Sequence, residues 1–310
     1  MSTAFVFPGQ GAQTIGMGRD LAQAYPAARA VFDEVDEALG EKLSALIWEG
    51  DIAALTLTEN AQPALMATSM AAMRALEAEG VAVTRAAFVA GHSLGEYSAL
   101  CAAGVFTLAD TARLLRVRGR AMQSAVPVGQ GAMAAILGLT AEEVTRVAED
   151  AAQGEVCALA NENDPTQNVI SGTVAAVERA CVLAKEAGAK RALMLPVSAP
   201  FHCALMQPAA DAMGQALAEV VMQNPSVPLV SNVLAQGVTD AAQIRDLLVQ
   251  QVTGRVRWRS GVEWMAAQGV TEFWEIGAGK ALSGMIRRIE KDAVSRNVGG
   301  AADVVAARDA

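Results

Sequence analysis

A serine flanked by glycines, Gly91-His92-Ser93-Leu94-Gly95, stands between an apolar run at 86–90 and a small-residue stretch at 94–103. The first reads as a buried strand and the second as a helix. A serine on such a strand-to-helix turn is held clear of both elements, with backbone N–H groups behind it. That is the arrangement of a nucleophile that attacks an acyl carbon. Turns of this form also serve structural roles, so the reading requires partners for the serine.

Serine is a weak nucleophile at its own pKa and needs a base within hydrogen-bonding reach. The chain has only two histidines. His92 adjoins the serine, where neighbouring side chains diverge, which leaves His202 in Ser198-Ala199-Pro200-Phe201-His202. Three aspartates between serine and histidine are candidates for a third triad member. Asp110 reads as a helix-start residue, Asp150 as the end of a polar helix face, and Asp164 as a turn residue before Pro165. The expected arrangement is a dyad whose histidine is oriented by a carbonyl or amide, because the orienting group mainly fixes tautomer and direction.

A helix expected at 109–123 carries four arginines. At about 100° per residue, Arg113, Arg116 and Arg120 share one side, while Arg118 points roughly 140° from Arg113, among Leu114, Leu115 and Met122. A buried guanidinium keeps its charge and needs a partner, and its planar fork suits a carboxylate. Either a protein Asp or Glu or the free carboxylate of an acyl substrate such as malonate fits. The three outward arginines are solvated residues or, with Lys190 and Arg191 or with Arg287, Arg288 and Lys291, a basic patch steering an acidic carrier or a phosphorylated thioester.

These groups need a scaffold, and 310 residues, 53% apolar and 18% charged, are enough for a large core and exclude disorder. A formal charge of −9 argues against binding nucleic acid or an anionic membrane. The four cysteines lack any CxxC spacing, and two histidines cannot build a histidine-rich metal centre, so no metal or bound cofactor is expected. No basic segment precedes the short apolar stretch 4–7, and no run approaches the roughly 20 residues of a membrane span. A cytoplasmic protein is expected.

The elements read as α/β: an α/β-hydrolase-like large domain with a mostly parallel sheet and the nucleophile elbow, in residues 1–128 and 198–299. Strand 3–7 leads through a glycine-rich turn into helix 20–39, and helix 62–79 carries Pro63 in its first turn. Strands 132–137, 156–160, 168–171 and 190–195 alternate with helices opened by Thr140 and Thr173 in the order β-α-β-β-α-β. That is a ferredoxin-like subdomain inserted at 129–197. Helices 206–221, 240–252, 258–267 and 280–289 and strand 270–276 complete the large domain, and 300–310 reads as a frayed tail.

Phe7-Pro8-Gly9-Gln10-Gly11, Gly91 through Tyr97, Arg118-Gly119 with Met122-Gln123, and Pro196-Val197-Ser198 through His202 together resemble the malonyl-CoA:acyl-carrier-protein transacylases of fatty-acid synthesis. The likeness runs from about residue 3 to 298. It implies that Ser93 accepts a malonyl group with His202 as base and then acid. It also implies an oxyanion hole from the backbone N–H groups of Gln10 and Leu94, and pairing of Arg118 with the malonyl carboxylate. A histidine-positioning glutamine is implied at Gln251 or the adjacent Gln250, in a stretch where Arg255 replaces the proline usual in relatives. Asn161 and Asn163, in a small-domain loop facing the site, Met122, and Phe201, whose type accompanies malonyl over methylmalonyl preference, are the supporting residues implied.

The resemblance further implies malonyl-CoA and phosphopantetheinylated acyl carrier protein as partners, and a monomer. A serine hydrolase or thioesterase shares the elbow and dyad but needs no carboxylate clamp. A noncatalytic carrier-protein-binding scaffold would leave all three residues idle. Gly277-Ala278-Gly279-Lys280 is not a phosphate-binding loop, because Trp274 and Ala281 occupy its first glycine and hydroxyl positions.

Overall fold

Burial along the first strand, β1 (Ser2–Phe7), sets the architecture. Phe5 and Phe7 enter one core cluster and Ala4 and Val6 another, because successive side chains of a strand point to opposite faces. A strand buried on both faces needs helices on both sides of its sheet. The computed structural model describes residues 2–197 and 199–308. Ser198 of the histidine motif, Met1, Asp309 and Ala310 are outside the described residues.

From β1 the chain runs through α1 (Arg19–Ala24), α2 (Pro26–Leu39), α3 (Leu43–Glu49), α4 (Ile52–Thr56) and α5 (Thr58–Ala78) to β2 (Phe88–Gly91), α6 (Gly95–Ala102) and α7 (Leu108–Ser124). Then come β3 (Gly131–Leu137), α8 (Ala141–Ala152), β4 (Cys157–Asp164), β5 (Gln167–Thr173), α9 (Val174–Glu186) and β6 (Arg191–Met194). The large unit resumes with α10 (Gln207–Ala218), β7 (Leu229–Val230), β8 (Gly237–Val238), α11 (Ala241–Thr253) and α12 (Trp258–Ala267). It ends with β9 (Val270–Ile276), α13 (Ala281–Ile289), β10 (Val294–Val298) and α14 (Ala301–Arg308).

The large sheet has the order β10-β9-β1-β2-β7-β8, parallel except for the last pair. Phe7 lies in register with Gly91, so the loops after β1, β2 and β7 emerge side by side at the carboxyl ends of their strands. Ligands of open α/β sheets bind at such crevices. The small sheet, β4-β5-β3-β6, is antiparallel with the ferredoxin-like strand order. Ala134 and Ile136 pack with α8 and α9 on one face, while Met133, Ala160 and Val169 turn the other towards Phe201, Leu195 and Val197.

β4 fastens the small sheet to the large unit. Val256 donates its N–H to the Ala160 carbonyl at 2.8 Å and accepts from Glu162 N–H at 2.9 Å. Arg255 pairs with Glu162 at 2.7 Å and Arg288 with Asp164 at 2.6 Å. Arginine at 255 therefore supplies an ion pair where proline has no donor to offer.

Several elements differ from the sequence expectation. Helix α5 begins at Thr58, placing Pro63 in its interior rather than its first turn. Proline cannot donate to the Glu59 carbonyl, and Arg116 Nη1 donates there instead at 2.8 Å. The helix expected at 20–39 breaks between Ala24 and Pro26. The loop expected at 161–167 shrinks to a tight turn, because β4 and β5 extend into a hairpin that pairs Glu162 with Asn168 and Asp164 with Gln167. Short strands β7, β8 and β10 and helices α3 and α4 carry too little pattern to be legible. The tail does not fray through 308: α14 buries Val304 and Ala307, and Asp20 and Asp303 accept the free N–H groups at its start. No helix among the described residues is long and apolar enough to cross a membrane.

Candidate active site

The elbow is compressed by its own geometry. A Cβ at Gly91 would sit 1.9 Å from the Gly95 carbonyl carbon, and one at Gly95 would sit 2.2 Å from the Phe7 carbonyl oxygen. Only glycines allow β2 to turn this sharply into α6 beside β1. Ser93 adopts the left-handed region at φ 55°, a costly conformation for a residue with a side chain. Asn232, just past β7, holds it there. Its Oδ1 accepts the Ser93 N–H at 2.8 Å and its Nδ2 donates to the Gly91 carbonyl at 2.6 Å.

His202 also sits at positive φ, 60°, and its Nε2 lies 2.8 Å from Ser93 Oγ. Its Nδ1 faces the backbone carbonyl of Gln251 at 2.9 Å. A carbonyl can only accept, so Nδ1 carries the proton and Nε2 presents its lone pair to the serine hydroxyl. That carbonyl is free because Gln251 lies in the last turn of α11, where carbonyls lack intrahelical partners. The Gln250 carbonyl is instead taken by Gly254 N–H at 2.8 Å, and its side chain is exposed. The structure therefore brings Gln251, and not Gln250, to the histidine. Burial, reinforced by the nearby Arg118 charge, pushes the His202 pKa down to about 3, which keeps the imidazole neutral, with Nε2 unprotonated and open to the serine proton.

Arg118 is 1% exposed, as its helical position predicts. Nη1 donates to Gln62 Oε1 at 2.8 Å, while Nη2 donates to Gln251 Oε1 at 2.8 Å and to Ser93 Oγ at 3.1 Å. Nε has no partner, and no carboxylate lies in ion-pair distance, among the described residues. The internal salt bridge allowed by the sequence is thus not formed. The Arg118 guanidinium lies 5.6 Å from the centre of the Tyr97 ring, and burial lowers its pKa.

The expectation for Arg116 is overturned. It is buried, bonded to the Glu59 carbonyl, to Asn60 and to Glu41, because the break in hydrogen bonding before Pro63 demands a donor from α7. Arg113 pairs with Asp110 at 3.3 Å and Arg120 with Glu59 at 2.8 Å. The α7 arginines are committed locally, and Arg288 is committed to Asp164.

Above the dyad opens a cavity of about 900 Å³ lined by Gln10, Leu94, Met122, Phe201, Asn161 and Asn163, together with Ser93, His202 and Arg118. The N–H groups of Gln10 and Leu94 make no hydrogen bond among the described residues. They emerge from the loops after adjacent strands β1 and β2, free to face a developing oxyanion. Asn163 Oδ1 meets His92 Nε2 at 2.9 Å, joining β4 to the elbow. Asn161 and Asn163 lie on β4, not on a loop. No cluster of three or more His, Cys, Asp or Glu able to hold a metal occurs among the described residues.

Sequence reasoning missed Gln62, Glu96 and Asn232. Glu96 stands within the quoted elbow motif, and its spacing from Ser93 was the available signal. Gln62 carries no sequence signal beyond its place in a helix, and Asn232 follows a strand two residues long.

A parallel α/β sheet with a serine elbow, a neutral histidine and an arginine lacking a carboxylate partner defines a serine acyltransferase, and residues 4–300 match the acyl transferase domain family. The chain is 50% identical to the malonyl CoA-acyl carrier protein transacylase of Escherichia coli (strain K12) over 286 residues, covering 92% of each. It is 49% identical to that of Bacillus subtilis (strain 168) over 289 residues, 93% of this chain and 90% of that one. The crystal structure of acyl-carrier-protein-S-malonyltransferase from Bartonella henselae superposes with a TM-score of 0.97 at 57% identity, covering 99% of this chain and 98% of that chain. The chain belongs to the malonyl-CoA:acyl carrier protein transacylase family.

Proposed function

We propose that this protein transfers the malonyl group of malonyl-CoA to the phosphopantetheine thiol of acyl carrier protein, through a malonyl ester on Ser93, in fatty-acid biosynthesis. The observation that carries this reading is Arg118, a buried guanidinium 3.1 Å from the Ser93 hydroxyl whose other partners are two neutral amides. A substrate ending in a carboxylate supplies the missing charge. The relatives' activity on malonyl-CoA and acyl carrier protein supports the same substrates.

In the first half-reaction Ser93 Oγ attacks the thioester carbon while His202 Nε2 takes its proton. The C–S bond then breaks, and His202 returns the proton to the departing sulfur. In the second half the carrier thiol gives its proton to His202 and attacks the malonyl ester. Ser93 leaves and recovers the proton. The N–H groups of Gln10 and Leu94 receive the negative charge of each tetrahedral intermediate, one such donor contributing about 3 kcal/mol. The Gln251 carbonyl holds the histidine tautomer, and Met122 and Phe201 bound the acyl chain.

Asn161 and Asn163 extend from a small domain, residues 129–197, that covers the large domain formed by 1–128 and 198–299. The protein acts as a cytoplasmic monomer without a bound cofactor. The test is intact-protein mass spectrometry after brief exposure of wild type and Ser93→Ala to malonyl-CoA, followed by phosphopantetheinylated carrier. One malonyl adduct that requires Ser93 and moves to the carrier is expected. An adduct lost only to water would make the protein a hydrolase, and carrier binding with no adduct would make it a scaffold.

A further inference from the structure

Glu96 occupies the first turn of α6, three residues after the nucleophile, and is 1% exposed. A carboxylate in a first helical turn normally faces solvent and gains a little from the helix dipole. This one is buried and has no ion-pair partner among the described residues, so its desolvation must be offset by hydrogen bonds. Its Oε2 accepts from Gln251 Nε2 at 2.6 Å and its Oε1 from Asn232 N–H at 3.4 Å.

The first of these bonds determines which way the Gln251 amide points. An ionised carboxylate only accepts, so it must be met by the NH2 end of the glutamine. The second hydrogen of that NH2 goes to the Ser93 carbonyl at 2.9 Å. Gln251 Oε1 is left facing the guanidinium, where it accepts from Arg118 Nη2 at 2.8 Å. The opposite amide orientation would set Oε1 against a carboxylate and a carbonyl, and NH2 against a cation. Both contacts are repulsive.

We propose that Glu96 is a positioning residue for malonyl selectivity: by holding the Gln251 amide in one orientation it aims the Arg118 guanidinium at the substrate carboxylate. The proposal rests on the reading of Arg118 as the malonyl clamp. Glu96 does not touch substrate. Its effect on the acyl carboxylate passes through Gln251 to Arg118, whereas any effect that reaches Ser93 or His202 through Gln251 or Asn232 falls alike on malonyl and acetyl transfer. Burial pushes the Glu96 pKa up to about 7 while its hydrogen-bond donors and Arg118 oppose the rise, so the carboxylate accepts only, and enforces the amide orientation, above that pH.

The test is single-turnover acylation of Ser93 by malonyl-CoA and by acetyl-CoA in wild type, Glu96→Gln, Glu96→Ala, Arg118→Ala and Glu96→Gln/Arg118→Ala. Glutamine at 96 preserves volume but can present either end of its amide. The malonyl-to-acetyl ratio of kcat/KM is expected to fall about tenfold in Glu96→Gln, the loss of one buried charge-assisted hydrogen bond, and further in Glu96→Ala. In the Arg118→Ala background Glu96→Gln should cost nothing more. The ratio is independent of the folded fraction, and Glu96→Gln decides the matter if Glu96→Ala does not fold. An unchanged ratio, or losses that multiply with those of Arg118→Ala, would overturn the proposal. Failure of wild type to form a malonyl adduct would instead sink the functional reading beneath it.

Discussion

The large unit presents Ser93, His202 and Arg118 to the cavity as polar groups fixed by hydrogen bonds, whereas the small unit presents Met133, Val169, Leu195 and Val197 with two asparagines. The floor holds charge and proton donors in defined directions, at the cost of left-handed backbone at both members of the dyad. The roof contributes apolar surface and is fastened along one strand by ion pairs and backbone bonds. Substitutions of the dyad in the floor should therefore change the chemical steps, that of the floor's arginine should change the preference for an acyl group with a carboxylate, and those in the roof should have smaller effects.

The largest expected effect is in the floor. His202→Ala removes the base and should lower kcat/KM for Ser93 acylation on the order of 10³-fold, read by single-turnover mass spectrometry. The pH profile sharpens this. With the His202 pKa pushed down to about 3, the base stays neutral as pH falls through 6.5, so acetyl-CoA loading, which does not call on the carboxylate clamp, should stay flat there. The unfolded imidazole takes up its proton below about 6.5 while the folded one refuses it, so stability should decline from there towards pH 3. An acid limb in activity at 6.5, without unfolding, would mean that His202 titrates as a solvated imidazole.

Arg118→Ala comes next, with malonyl loading expected to fall about 10²-fold, roughly 3 kcal/mol, and acetyl loading to change little. Equal losses for both substrates would move the arginine's role from specificity to structure. In the roof and at its seam with the floor, effects should be smaller. Phe201 packs against both the main core and the small-sheet cluster beside His202. Phe201→Ser should raise the methylmalonyl-to-malonyl ratio by up to about tenfold, as expected for relief of crowding by one methyl group. Asn163→Ala removes the 2.9 Å contact with His92 and should cost about 1 kcal/mol in thermal unfolding, with kcat for malonyl loading within about twofold of wild type. A loss in kcat as large as that of Arg118→Ala would show that roof and floor act as one unit.

The sequence carried the elbow, the dyad without an acid, and the burial of Arg118, because each rests on local geometry: a strand-to-helix turn, a scarcity of histidines, a helical angle. It misplaced Arg116 because helical phase alone cannot reveal a carbonyl left without a donor by Pro63 on a neighbouring helix. The loop that the resemblance implies at 161–167 is instead largely strand, because β5 and the large unit offer that segment backbone partners.

By itself the sequence determined the α/β organisation with its β-α-β-β-α-β segment, and singled out Ser93 and His202 as partners, since periodicity and motif spacing act within a few turns of chain. Only the tertiary structure decided that Gln251 and not Gln250 meets the histidine, that Gln62, Asn232 and Glu96 support the site, and that no protein carboxylate among the described residues pairs with Arg118. Those contacts join residues 49 to 155 positions apart, and their selection depends on which buried donors and acceptors remain unpaired once the helices and sheets have packed.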